Sequence, residues 1–226
     1  MERNGKEIHA EVERLRESGK PEESLRLAEE AKKVYLKERN VVGLSDLYGS
    51  ISLAYRHLGD LEEAKKAAEE AVRVAKENNL KGDLARPLFN LAKVKEDLKD
   101  FGGAVEDYKE SIKLFQEQNP TLHNRPGVLA DMNIHLATCE YKANDKSGLE
   151  RALSAIEDLK NSDEEQISKY NYDVWLSGAY MKIADILKKH NLEMAHEYLG
   201  KAKEIIDANP KLEIRKKQWE ELSKSF

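Results

Sequence analysis

The sequence predicts an all-α protein: a stack of about five helical hairpins closed by one more helix at the C-terminus. Three observations predict it. Apolar residues recur at three- and four-residue spacing along nearly the whole chain, with no β-type alternation. The pattern repeats with a period of about 40 residues, the mark of a solenoid of small helical units. Gly and Asn interrupt it at corresponding places, where helices should turn.

The period is clearest in the first half. Leu58-Gly59-Asp60-Leu61-Glu62-Glu63-Ala64 and Leu98-Lys99-Asp100-Phe101-Gly102-Gly103-Ala104 share Leu, Asp and Ala at a shift of 40. One period earlier, Gly19 aligns with Gly59, Glu22-Glu23 with Glu62-Glu63, and Ala28 and Ala31 with Ala68 and Ala71. Asn144-Asp145 and His190-Asn191 mark two further turns at longer spacings. The units run approximately 4–40, 41–80, 81–120, 121–161 and 162–209, with a cap at 210–226, in a single domain spanning 1–226.

The elements follow in order. The first hairpin opens with a short helix from Glu2 to Glu17, and Gly19 turns it. In the second, Leu47, Ile51, Ala54, Tyr55 and Leu58 form one stripe and Ala64, Ala67, Ala68, Ala71, Val72 and Ala75 the next. The alanines let two helix backbones approach, and the Glu and Lys residues between them take the wet side. In the third, Asp83 is the expected cap, and Pro87 falls late in the first turn, so that helix starts late or bends. Gly102-Gly103 reads as a turn. Asn119-Pro120 ends the third unit, and Asn124-Arg125-Pro126 opens the fourth. Ser162-Asp163-Glu164-Glu165 has capping-box spacing and starts a long helix to about Lys189, with Tyr172, Trp175, Leu176, Ala179, Tyr180, Ile183 and Ile186 on its apolar side. Asn209-Pro210 stops the next helix. Lys211 to Phe226 forms the lone last one, which covers the open end of the stack, with Arg215-Lys216-Lys217 on its solvated side.

Composition excludes several classes. Of 226 residues, 36% are charged, against about a quarter in ordinary domains, yet 38 Lys and Arg nearly balance 43 Asp and Glu to leave −5. A slightly acidic chain does not bind nucleic acid by bulk charge. No stretch approaches the roughly 18 apolar residues of a membrane span. The single cysteine, Cys139, excludes an internal disulfide framework and fits a reducing compartment. The charge-broken start, Met1 to Glu13, lacks the apolar run of a secretory signal, so the expected location is the cytoplasm.

The segment Leu47 to Ala64, completed by Ala68 and Ala71, resembles the tetratricopeptide repeat family. Leu88-Phe89-Asn90-Leu91-Ala92 with Ala104, Tyr108 and Ser111 is a second match, and Ala195, Leu199, Ala202 and Pro210 mark another. The first unit carries Ser24 where the family has Ala, and in the fourth either Leu149 or Ala152 could occupy that place. The unit is longer than the common 34 residues. It is similar to the branch found in kinesin light chains, polarity adaptors and bacterial peptide-sensing regulators. The resemblance implies a right-handed superhelix whose first helices line a concave face that binds a peptide or protein segment.

In that family an Asn on the first helix holds peptide backbone, since an amide donates and accepts at once. The corresponding places here are Ala10, Ser50, Asn90, His135 and Met181, and only Asn90 matches. The array that clamps a chaperone tail's carboxylate is not present. The same expected face carries Arg56, His57, Arg86, Phe89, Lys93, Tyr141 and Tyr180, cations interleaved with aromatics that suit an acidic or aromatic-bearing segment. The expected binding set is therefore Arg56, His57, Arg86, Phe89, Asn90, Lys93, His135 and Tyr141.

No phosphate loop, nucleophile elbow or zinc helix motif occurs. His135 and Cys139, four apart, make at most half a metal site, and read as a groove histidine and a buried thiol. The expectation is a non-catalytic cytoplasmic scaffold without cofactor or metal, a monomer or weak homo-oligomer through its first hairpin. The alternative is a peptide-responsive regulatory or sensor module of a larger signalling or transcription-control system.

Overall fold

The computed structural model describes residues 3–117 and 125–226, and these fall into two compact units, residues 1–117 and 118–226. The described residues are helical throughout, without strands, as the sequence predicts.

The first unit holds three hairpins. They pair α1 (Gly5–Glu17) with α2 (Pro21–Glu38), α3 (Val41–Leu58) with α4 (Leu61–Glu77), and α5 (Ala85–Asp97) with α6 (Phe101–Glu117). Their corners are superposable in sequence. Gly19, Gly59 and Lys99, each 40 apart, all adopt left-handed backbone, with φ of 75°, 81° and 66°. The next residue donates its N–H back into the helix: Lys20 to Leu15, Asp60 to Tyr55 and Asp100 to Lys95. Arg39 and Asn79, also 40 apart, share φ 53° at the corners between hairpins.

Local starts differ in part from expectation. α1 begins at Gly5 because Asn4 caps it: its side chain accepts from Glu7 N, and the Glu7 carboxylate accepts from Asn4 N. Asp83 caps nothing. It sits in a 3-10 turn, Lys81–Asp83, and α5 starts at Ala85 with no side-chain cap. Pro87 is then third in α5, where its missing N–H breaks no helical bond. Gly102 and Gly103 form no turn but lie in the first turn of α6, where Gly103 N donates to Asp100 Oδ1 at 3.0 Å. Asn119-Pro120 and Asn124 lie outside the described residues.

The hairpins close on small side chains. Ala28, Ala31, Ala54, Ala64, Ala68, Ala71, Ala92 and Ala104 are all buried, and Leu47, Leu88 and Tyr108 fill the gaps beside them. Four serines join them, each donating to a carbonyl of the facing helix: Ser24 to Val12, Ser45 to Ala71, Ser52 to Ala64 and Ser111 to Ala85. Serine is thus tolerated at an alanine place because its hydroxyl finds an acceptor.

The second unit contains α7 (Pro126–Lys142), α8 (Gly148–Lys160), α9 (Glu164–Ile167), α10 (Lys169–Leu187), α11 (Leu192–Ala208) and α12 (Glu213–Ser223). Pro126 is in the first turn of α7, as its position predicts, and Asn144 supplies the left-handed corner after it, at φ 81°. α11 stops at Asn209. Neither Leu149 nor Ala152 takes the first small-residue place of the fourth unit; Gly148 does. Ala152, Ala155, Ile156 and Leu159 repeat the buried pattern of Ala68, Ala71, Val72 and Ala75, which puts Gly148 opposite Ala64. The backbones meet there so closely that a Cβ on Gly148 would lie 2.4 Å from the Ala137 carbonyl.

The long helix expected from Ser162 is two helices. Ser168 is extended, at φ −154°, and its hydroxyl accepts from Asn171 N, so it ends α9 and starts α10. Ser162 makes no capping box; its hydroxyl donates to Leu159 O instead. α12 packs on α10 and α11 through Trp219 and Leu222, with Leu212 just before it buried. Arg215 is not on the solvated side. Its Nε donates to Val174 O at 2.9 Å and its guanidinium lies against Gly178, while Trp219 Nε1 donates to Leu199 O at 2.9 Å.

Candidate functional site

The first helices of the first unit, α1, α3 and α5, share one face, and side chains from all three meet on it. The reason is local. Each helix gives its alanine and leucine stripe to its own hairpin, leaving a second stripe of polar residues where consecutive first helices touch.

His9 of α1 is buried between two hydroxyls. Its Nε2 lies 2.9 Å from Ser50 Oγ and its Nδ1 lies 3.2 Å from Tyr35 Oη. Burial lowers the His9 pKa, against the pull of the Glu13 and Asp46 carboxylates, so the ring is neutral near pH 7. Tyr35 is pushed up to about 12, chiefly by burial and then by Asp46, Glu38 and Glu13. Asp46 is also raised by burial, with Arg86 opposing.

The two arginines expected here are held differently. Arg56 Nε donates to Asp97 Oδ2 at 2.7 Å, with its side chain 18% exposed. Burial works against its charge, but Asp97 more than offsets that and the guanidinium pKa is raised. Arg86 is 54% exposed, and its Nη2 reaches Glu13 Oε1 at 3.3 Å while Nη1 stands 3.8 Å from Asp46 Oδ1. Arg86 thus links α5 to α1 through Glu13, with Asp46 of α3 near its other nitrogen.

Asn90 is the centre of the site. It is 7% exposed, and its side-chain amide, which hydrogen-bonds to none of the described residues, keeps contact with solvent. Its Nδ2 rests over Gly49 of α3, where a Cβ would come within 3.0 Å. An amide open to solvent on this face is able to donate and accept at once. Phe89 leans into its own hairpin against Tyr108, with centroids 5.4 Å apart, and Lys93 Nζ stands 4.2 Å above the Phe89 ring. His57 is half-buried in the last turn of α3.

The remaining expected residues belong to the second unit. His135 is buried on α7, its Nε2 4.0 Å from Asp131 Oδ1. Tyr141 sits at the end of α7 beneath Lys146, whose Nζ is 4.1 Å from the ring centroid. Tyr180 packs against Tyr198 of α11 at 5.7 Å. Cys139 is buried, and among the described residues no three His, Cys, Asp or Glu side chains gather to hold a metal ion. Among the same residues no helix is long and apolar enough to cross a membrane.

Sequence reading found the cations and missed their counterparts, Glu13, Asp46 and Asp97, together with His9 and Gly49. One signal was available: His9–Ser50 and Arg56–Asp97 are both separated by 41 positions, one period plus one.

Residues 43–117, the second and third hairpins, match the family model described as tetratricopeptide repeat. No curated protein matches the chain by sequence. Among solved structures, BtubC (BKLC) from P. vanneervenii is 22% identical, with a TM-score of 0.63 over 90% of this chain and 80% of that one. The nearly identical TPR-like repeats of a candidate kinesin light chain from Podosopora anserina are 13% identical, with a TM-score of 0.59 over 91% and 97%. A Rap protein complexed with Competence and Sporulation Factor is 15% identical, with a TM-score of 0.61 over 100% of this chain and 66% of that one. At these identities the likeness is one of fold, that of tetratricopeptide-like helical hairpins.

Proposed function

We propose that this tetratricopeptide-type chain is a non-catalytic, cytoplasmic scaffold that binds a peptide or protein segment on the α1–α3–α5 face of its first unit. The observation that carries the reading is Asn90: a mostly covered side chain whose amide meets solvent rather than another described residue, lying over a glycine. An amide in that state suits a passing main chain, which offers an N–H and a carbonyl at once. Arg86 and the Phe89–Lys93 pair flank it on the same helix and suit an acidic or aromatic side chain. The solved complex of a Rap protein with its factor is consistent with a segment-binding role for this fold.

The test is comparative capture. Wild-type protein and the Asn90→Ala/Arg86→Ala/Lys93→Ala variant are used as baits in native lysate, with bound proteins identified by mass spectrometry. Partners that depend on the face drop out with the variant, whose helical content should be unchanged. Identical partner sets on both baits would refute the assignment.

A further inference from the structure

We propose that Glu13 is an intramolecular placeholder: it occupies Arg86 in the free protein and yields it to an acidic side chain of the bound segment. The inference rests on the reading above and adds which group of the segment is recognised and what it must displace.

The contrast between the two arginines points to it. Arg56 is a fixed strut, short at 2.7 Å and mostly covered. Arg86 is half open, and both of its contacts, 3.3 and 3.8 Å, are longer than the 2.7–2.9 Å of a well-made charge-assisted bond. An exposed pair of that kind contributes at most about 1 kcal/mol. A carboxylate arriving on a ligand can therefore replace Glu13 at little cost, with room to approach the guanidinium edge-on. Asp46 competes poorly, because burial already disfavours its charged form. The spacing is apt as well. Arg86 and Asn90 are one turn apart on α5, about 5–6 Å, so one ligand residue can present its backbone to Asn90 while a neighbour's carboxylate meets Arg86.

Glu13 reaches this position only by crossing α3 from α1. Nothing in the packing of α1 on α2 calls for it, since that hairpin closes on Ile8, Val12, Ala28 and Ala31. It is thus a side chain on the binding face whose contact is with the binding group.

The test uses two fluorescent decapeptides, one alternating serine and glutamate, the other serine and glutamine, with anisotropy read at low salt. Wild-type protein should prefer the glutamate peptide. Glu13→Gln should tighten that peptide roughly 2- to 5-fold and leave the glutamine peptide unchanged. Arg86→Gln should abolish the preference. Glu11→Gln, the same charge change on the same helix, should have no comparable effect. An equal gain from Glu11→Gln would reduce the effect to bulk charge and overturn the proposal, as would no gain from Glu13→Gln. If both peptides bind all variants equally, the binding face stands and the placeholder falls. If neither peptide binds any variant, both fall.

Discussion

Ser52 donates its hydroxyl to the carbonyl of Ala64 at 2.8 Å, and one repeat earlier the same two places trade roles, with Ser24 donating to Val12 at 2.8 Å. Positions 12 and 52 correspond at a shift of 40, as do 24 and 64. The second crossing behaves likewise: Ser45 donates to Ala71, whereas 40 residues on Ser111 donates to Ala85. In the third hairpin the first crossing is Ala92 against Ala104, both fully buried. Each crossing keeps a serine or alanine on at least one of its helices, and the hydroxyl can come from either side because a helix carbonyl has a second lone pair to offer.

That exchange sets the first expectation. Ser52→Ala should cost about 1 kcal/mol, the net worth of one hydrogen bond. Ser52→Ala/Ala64→Ser should recover most of it by moving the hydroxyl across. Ser52→Val should cost more, about 1–3 kcal/mol, through overpacking. Urea unfolding followed by far-UV dichroism measures all three. A double variant no more stable than Ser52→Ala would show that the two places are not equivalent.

Gly148→Ala should destabilise the second unit by about 2–3 kcal/mol. The new methyl would meet main-chain atoms, Ala137 O at 2.4 Å and Tyr141 N at 2.7 Å, which cannot turn aside as a side chain can. Gly200→Ala is the contrast. It lies in α11 with nothing within 4 Å of an added Cβ, so the same change should stabilise by up to about 1 kcal/mol. Both tryptophans, Trp175 and Trp219, lie in this unit, so their fluorescence reports its unfolding. Equal effects at the two glycines would contradict the close approach.

Arg125 and Glu164 provide a pH-dependent expectation. The Glu164 side chain is 0% exposed and pairs with Arg125 Nη2 at 3.2 Å. Burial raises its pKa, and Arg125 opposes the rise. A carboxyl whose folded pKa is raised adds stability below its unfolded pKa, near 4.3, and loses it as pH rises through the folded value. Arg125→Ala removes the opposing charge, so it should cost about 3 kcal/mol at pH 7 and clearly less at about pH 4, below the unfolded value, where a carboxyl with a raised pKa is neutral. The same loss at both pH values would mean that Glu164 does not titrate in the fold.

The stack itself was legible because its grammar is local. Helical spacing, the alanine stripes and the corner residues are read within one hairpin. The predicted turns at Gly19, Gly59, Lys99 and Asn144 are all left-handed corners, two of them on residues other than glycine. What the sequence concealed depends on neighbours. Ser168 is an ordinary polar residue until its extended backbone divides α9 from α10. Gly148 marks the fourth unit only once α7 is known to lie against it. Within the α1–α3–α5 face, Asn90 was legible by position. Glu13, Asp46 and Asp97 were not, because a carboxylate on a charged helix reads the same whether it faces water or an arginine one helix away. The cations expected to await an acidic partner are therefore already matched at home, Arg56 firmly and Arg86 loosely.

The closing helix has a consequence for how such a chain can lengthen. Arg215 and Trp219 fasten α12 by donating to Val174 O and Leu199 O, atoms that every residue possesses. These two bonds ask for a small residue where Gly178 lies beneath the guanidinium, and the apolar packing of Trp219 and Leu222 near Met181, Ala202 and Ile206 completes the attachment. The main-chain part of that attachment does not depend on the identity of the side chains at 174 and 199. Duplicating the α10–α11 hairpin just ahead of α12 would present the same carbonyls and the same apolar residues again, so the array could grow by a whole repeat and still seat this helix.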